Sequence, residues 1–342
     1  MPKQKIKIKN NSVPKNKKET EDKAKKYLEE LIKYIKHQNI KKFKSKNKKK
    51  LNYEPSVTDI IENDSNLIQY YGPQIYAYSL SLDINFPIDF IRKHSFNSIM
   101  RIKMIDWMLQ IFNSYNSEPS SFFSAVHYFD SYITNSKINI YDDDIHLIGI
   151  CCIYLASKME DIIPLHLNQV TEKIAHNKFK PRTISKKERE ILNTINWDLV
   201  IVNSYNFIRT YIYDFYINNL KRIEKLNLKK YTKIIEFISI YLARMVCLDE
   251  KFCIFPYSLK AVCIIIAAFD ILCANSKKIT EESELFLKQW IIFLIKSSSY
   301  SINIIRELYR KIIECYQNLY KINEIVPALN HIYKLDFYYK FC

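Results

Sequence analysis

The stretch Leu147–Asp161 reads LIGICCIYLASKMED, and its reading decides the fold. From Leu147 to Ala156 no side chain is charged; the run then breaks into Lys158, Glu160 and Asp161. Its length, with Gly149 and Ala156, favours a helix over a strand, and a helix apolar on every side belongs at the centre of a bundle. Asp142, Asp143 and Asp144 stand just upstream, where carboxylates complement the positive end of a helix dipole.

Towards the N-terminus, Met100, Met104, Trp107, Met108, Ile111 and Phe112 recur at helical spacing from Ser98 onward. Ser120–Ser121 is expected to cap a second helix carrying Phe122, Phe123, Val126, Phe129 and Ile133. Towards the C-terminus, Pro164 precedes a fourth helix, and Ile184, Ile191, Leu192 and Ile195 mark a fifth. The scheme then recurs. Asn203 is expected to cap a helix running to Leu220, with others at about 229–246, 256–274, 281–296 and 301–319. The third of these is again apolar nearly all round over Ala261–Ile266. The expected fold class is all-α, with two tandem five-helix repeats at 98–200 and 201–320. Before them lie a basic, largely disordered tail (1–52) with an amphipathic helix at 20–37, and a segment (53–97) with an N-terminal helix within the aromatic stretch 67–80. A C-terminal extension, 321–342, follows and shows no clear element.

Composition excludes several chemistries. Gly72 and Gly149 are the only glycines in 342 residues, so no clustered-glycine loop can bring backbone against a phosphate. The formal charge of +16 is concentrated: residues 1–50 hold nineteen lysines and five acids, and the remainder holds 33 Lys/Arg and 31 Asp/Glu. A near-neutral body is a poor nucleic-acid binder. The tail suits nuclear import or weak attraction to polyanions, or is simply a solvated tail. Eight cysteines without a C-x-x-C motif exclude a zinc ribbon and read as reduced, buried thiols of a nuclear or cytoplasmic protein. Apolar runs such as Ala261–Phe269 are interrupted by Lys260 and Asp270, so no membrane span is expected. His127, His146, His166 and His176 lack metal-ligand spacing from nearby Cys, and no nucleophile–base set is visible. No metal, no cofactor and no enzymatic activity are expected.

The informative residues are charges on apolar stripes. Arg101 shares a face with Ile105, Met108 and Phe112; Asp130 follows Phe123 and Val126; Lys158 continues the face of Cys151 and Leu155; Glu188 lies between Ile184 and Ile191. A buried unpaired charge costs several kcal/mol, so each needs an opposite partner or an open edge. Two cations and two anions suggest pairing. Lys158 and Glu188, each near a helix end, serve equally well as a register-holding pair or as charges offered to another protein.

Several segments together carry a family resemblance: MRIKMIDWML at Met100–Leu109, YFDSYI at Tyr128–Ile133, LIGICCIYLASKMED at Leu147–Asp161 and WDL at Trp197–Leu199. In that order and spacing they resemble the cyclin box. The likeness extends over about 68–320, is strongest over 98–210, and at Tyr71–Leu80 looks like the N-terminal helix of mitotic A/B-type cyclins. The resemblance implies two stacked cyclin folds and a regulatory subunit that binds and activates a cyclin-dependent kinase, in cell-cycle control. It implies that Lys158 and Glu188 contact the kinase, with Leu155, Met159, Leu192, Trp197 and Leu199 as apolar interface positions. It assigns Arg101 and Asp130 to an internal buttressing pair.

It also implies a substrate-docking patch at Met100, Met104, Trp107, Gln110 and His146. The pattern departs here: Lys103 replaces an isoleucine, Gln110 an acid and His146 a glutamine, so docking of Arg-x-Leu substrates is expected to be altered or lost. No arginine precedes Arg92, so the tail has no R-x-x-L degradation box, and no KEN triplet occurs; destruction by the usual cell-cycle route is not expected. Two other readings compete: a transcription-type cyclin or cyclin-fold scaffold, and a DNA-binding factor resembling general transcription factor IIB. The missing ribbon cysteines and the neutral body weigh against the last.

Overall fold

The computed structural model describes residues 72–275, 279–318 and 326–329. The basic tail, its expected helix at 20–37, residues 53–71 and most of the C-terminal extension lie outside the described residues. Among those described, every regular element is helical, and one isolated bridge joins Ser95 to Tyr141. The helices are α1 (residues 72–81), α2 (Ser98–Tyr115), α3 (Pro119–Asn135), α4 (Asp142–Glu160), α5 (Leu167–Gln169, continuing as a π turn Val170–Ile174) and α6 (Pro181–Thr194). They continue as α7 (Ser204–Asn218), α8 (Leu220–Lys225), α9 (Lys229–Leu248), α10 (Tyr257–Asn275), α11 (Glu281–Ser297) and α12 (Ile302–Asn318). The expected helices that fall within the described residues are found within a few residues of their expected bounds. The helix from Asn203 stops two residues short of its expected end, and the short α8 starts anew at Leu220.

Two helices hold the core. α4 packs against α2, α3 and α6, and is buried without a break from Ile148 to Ile153. Its approach to α2 depends on Gly149, where a Cβ would stand 2.2 Å from Met104 Sδ. α10 packs against α7, α9, α11 and α12, and is buried from Leu259 to Leu272. The window Tyr257–Ala274 is long and apolar enough to cross a membrane, which corrects the expectation that its charges make it too short. In the structure 89% of that window is buried, and both Lys260 and Asp270 go inside with it. Burial pushes the Asp270 carboxyl up to about 7. The thiols divide: Cys151, Cys152, Cys253 and Cys263 are buried as expected, whereas Cys247, Cys273 and Cys315 are only half-buried.

Caps set the helix ends. Asn97 accepts from Met100 N at 3.0 Å, and Asn203 from Tyr205 N and Asn206 N at 3.0 and 3.2 Å. Ser120 and Ser121 do not cap α3; they lie inside its first turn, behind Glu118 and Pro119. That end is capped from a distance by Asp161, which accepts from Glu118 N (2.9 Å) and Ser121 Oγ (2.5 Å). Asp83, past α1, likewise caps α10 by accepting from Tyr257 N at 2.8 Å. The C-terminal residues are not featureless: 327–329 form a helical turn whose Ala328 and Leu329 amides both donate to buried Asp106 of α2, each at 3.0 Å.

Arg101 and Asp130 do pair, deep between the two halves. Arg101 Nε and Nη2 donate to the two Asp130 carboxylate oxygens at 2.8 and 2.7 Å, and Nη1 donates to the Leu248 carbonyl at 3.0 Å. Both side chains are almost wholly buried. Burial alone would lower the guanidinium pKa; the Asp130 charge, its hydrogen bonds and the neighbouring Cys253 and Cys247 together outweigh this and raise it. Beside them His127 sits between the Tyr257 hydroxyl (3.0 Å) and Ser131 Oγ (3.2 Å). Burial, followed by the Lys260 charge, holds its pKa down at about 3.

Asp130→Asn leaves a buried guanidinium without its counter-charge and is expected to lower unfolding free energy by about 3–5 kcal/mol, measured by urea denaturation. His127 supplies a pH test. Between its ordinary value of 6.5 and about 3, the unfolded chain takes up a proton that the folded chain refuses, so stability falls as pH falls through that window. His127→Gln is expected to flatten this slope: the difference in unfolding free energy between parent and variant should shrink as pH drops from 7 to 4.

Candidate functional site

At its last turn α4 brings Lys158 to the surface. The ammonium pairs with Glu188 of α6 and lies 4.3 Å from the centre of the Tyr154 ring. Both roles left open by the sequence are therefore compatible: the two charges form an ion pair, and Lys158 remains exposed. A charge pair of this kind at the surface contributes little to folding, about 0–1 kcal/mol.

At and just beyond the ends of the two helices that carry the pair, large apolar side chains face solvent. Met159 is 47% exposed, Ile162 87%, Ile163 83%, Trp197 60% and Val200 61%. Of the other expected interface residues, Leu155 and Leu192 are buried and Leu199 is half-buried. Ile162, Ile163 and Val200 escaped the sequence reading. Ile162 and Ile163 follow Asp161 just past α4, and Val200 follows Leu199 past α6, all outside any helical period.

Backbone strain and caps hold these groups out. Asn196 and Trp197 both adopt left-handed backbone, with φ of 55° and 58°. For a residue such as Trp this conformation costs roughly 1–2 kcal/mol. The turn is closed by Trp197 N donating to the Leu192 carbonyl at 2.9 Å, and the indole Nε1 donates to Asn193 Oδ1 at 3.1 Å. At the end of α4, Asp161 accepts from Ser157 Oγ at 2.5 Å while also capping α3. Ile162 and Ile163 leave from that fixed point. Covering one such side chain is worth about 1.5–3 kcal/mol, so the surface has much to gain from a partner and little to do for the fold.

A second feature lies on α2 and α4. Met100, Met104, Trp107 and His146 line one cleft, together with Lys103, Asp142 and Ile145. Trp107 meets His146 edge-on at 5.1 Å between ring centres, and Phe179 packs on the other side of His146 at 5.8 Å. Burial, then the charges of Lys178 and His176, lowers the His146 pKa. Gln110 is exposed but does not line the cleft, and Met104 is largely buried over Gly149. Arg101 and Asp130 line neither surface; they act from within.

An all-helical chain built on two buried core helices, with this charged apolar surface beside the first, defines a cyclin-type fold. The family description "Cyclin, N-terminal domain" matches residues 74–200, so that segment carries the likeness to the cyclin family. It is 24% identical over 153 residues to Cyclin-A1-2 of Arabidopsis thaliana, covering 44% of this chain and 34% of that protein. It is 24% identical over 166 residues to the G2/mitotic-specific cyclin-A of Hydra viridissima, covering 46% and 39%. The matches span between about a third and a half of these curated relatives' length. Among solved structures, a viral cyclin from herpesvirus saimiri superposes with a TM-score of 0.53 at 16% identity, over 73% of this chain and 99% of that one, which shows the shared fold.

The strained turn separates a structural role for Trp197 from a binding role. Trp197→Gly removes an exposed side chain and the left-handed penalty, so unfolding free energy is expected to stay level or rise by about 1 kcal/mol in urea denaturation. A clear fall would show that the indole belongs to the fold instead.

Proposed function

We propose that this chain is a non-catalytic regulatory subunit that binds and activates a cyclin-dependent serine/threonine kinase. One observation carries the reading: a partly exposed Lys158–Glu188 pair on α4 and α6, with Met159, Ile162, Ile163, Trp197 and Val200 exposed at and just beyond the ends of the same two helices. Apolar anchors around two placed charges are a sound layout for a binding hot spot. The family likeness supplies the partner class. In this reading the mechanism is a population shift. Binding favours the kinase conformation in which its αC glutamate reaches the ATP-positioning lysine and the activation loop leaves the substrate cleft.

The second group of helices, α7–α12, serves in this reading as the second cyclin repeat. The cleft of Met100, Met104, Trp107 and His146 serves as a substrate-docking groove whose preference is shifted by Lys103, which would repel an incoming arginine.

Lys158→Glu is expected to weaken capture of a cyclin-dependent kinase by about 2–5 kcal/mol, read by titration with the purified catalytic subunit. The double swap Lys158→Glu with Glu188→Lys restores the internal pair and should not restore kinase binding. Full recovery in the double variant, or unchanged binding in the single one, would sink the reading. Kinase activity measured with and without the parent chain separates an activator from a scaffold.

A further inference from the structure

Charge in the body is uneven in one place. Residues 173–189 hold seven Lys/Arg and one acid, Glu188, whereas the rest of the chain after residue 50 holds 26 Lys/Arg and 30 Asp/Glu. Lys187 is occupied by Glu190 at 2.9 Å, and Glu188 by Lys158. The other six cations, Lys173, Lys178, Lys180, Arg182, Lys186 and Arg189, are all exposed, and none forms an ion pair with an acid within 4.0 Å among the described residues, although Lys186 lies near enough to Glu190 to help lower its pKa.

Their placement works against the fold. Arg182, Lys186 and Arg189 stand at i, i+4 and i+7 on the outward side of α6, opposite buried Ile184 and Ile191, and so form one stripe about 10 Å long. Like charges at such spacing destabilise a helix by about 0.2–0.5 kcal/mol per pair. Lys178, Lys180 and Arg182 crowd the N-terminal end of α6, the wrong end for cations, and no acid stands in its first turn. Two local rules are broken on one helix with Glu190 the one carboxylate shown to offset them, beside Lys186 and Lys187, a pattern expected where an external partner supplies the rest.

We propose that the outer face of α6, with the turn that precedes it, is a docking surface for an acidic segment of a protein partner, rich in Asp and Glu. The chemistry excludes a long polyanion as the better fit. Beyond the stripe the body is net acidic, and screening confines the attraction to roughly 8 Å, so a short run of carboxylates gains where an extended nucleic acid would be repelled. No exposed aromatic lies along α6 for bases to stack on. The surface uses none of Lys158, Trp197, Ile162 or Ile163, so it stands whether or not these bind a kinase.

The test is a fluorescence-anisotropy titration of a labelled hexaglutamate peptide with the full chain, against the variant combining Arg182→Gln, Lys186→Gln and Arg189→Gln. The basic tail is common to both proteins and cancels in the comparison. The variant is expected to bind the peptide roughly tenfold more weakly, and a 16-base-pair duplex almost as well as the parent does. A peptide loss under about threefold, or a duplex loss as large as the peptide's, overturns the proposal. The variant should also melt no lower than the parent, because it relieves repulsion. A lower melting temperature would show that these cations serve the fold, and would overturn the proposal equally.

Discussion

A guanidinium with no access to water must spend all its donors on the protein, and Arg101 spends them across three helices. Two donors go to Asp130 on α3 and one to the Leu248 carbonyl at the end of α9, while the arginine itself belongs to α2. The first group of helices is thereby bonded to the second at a point where neither could tolerate an unpaired charge. Around it His127, Tyr257 and Cys253 fill the same buried seam. The seam fixes where α3 sits, Asp161 caps the N-terminal end of α3, and the exposed Ile162 and Ile163 follow Asp161 directly. A buried ion pair is seldom the most stabilising choice, but its geometry admits few alternatives.

The exposed surface is made of helix ends rather than helix faces. Lys158 and Met159 finish α4, Ile162 and Ile163 follow it, and Trp197 and Val200 follow α6. Ends can present side chains outward because caps, not packing, hold them. Asp161 ties one end and the left-handed pair Asn196–Trp197 the other. Strain retained at an exposed tryptophan is intelligible when a partner covers it and less so when packing alone is considered.

Much of this was legible in the sequence. Helix order, the two central helices and the Asn203 cap follow from hydrophobic period and capping preference. That Arg101 and Asp130 each need a partner follows from their place on apolar stripes, while which charge pairs with which was implied by the family resemblance. What escaped was non-periodic or distant. Asp161 replaced the expected serine cap because a carboxylate 40 residues along the chain accepts from Ser121 better than a neighbouring hydroxyl can serve. Asp106 holding Ala328 and Leu329 spans more than two hundred residues and left no local trace.

The sequence by itself determined that the chain is helical, which face of each helix is apolar, and that its few misplaced charges must find one another, since these depend on spacing along one strand of residues. Only the tertiary structure decided which apolar residues stayed in water. Leu155 and Trp197 look alike on a hydrophobicity scale, yet one is sealed in the core and the other stands free. The difference comes from where neighbouring helices stop, and that is set by contacts between segments that no periodicity connects.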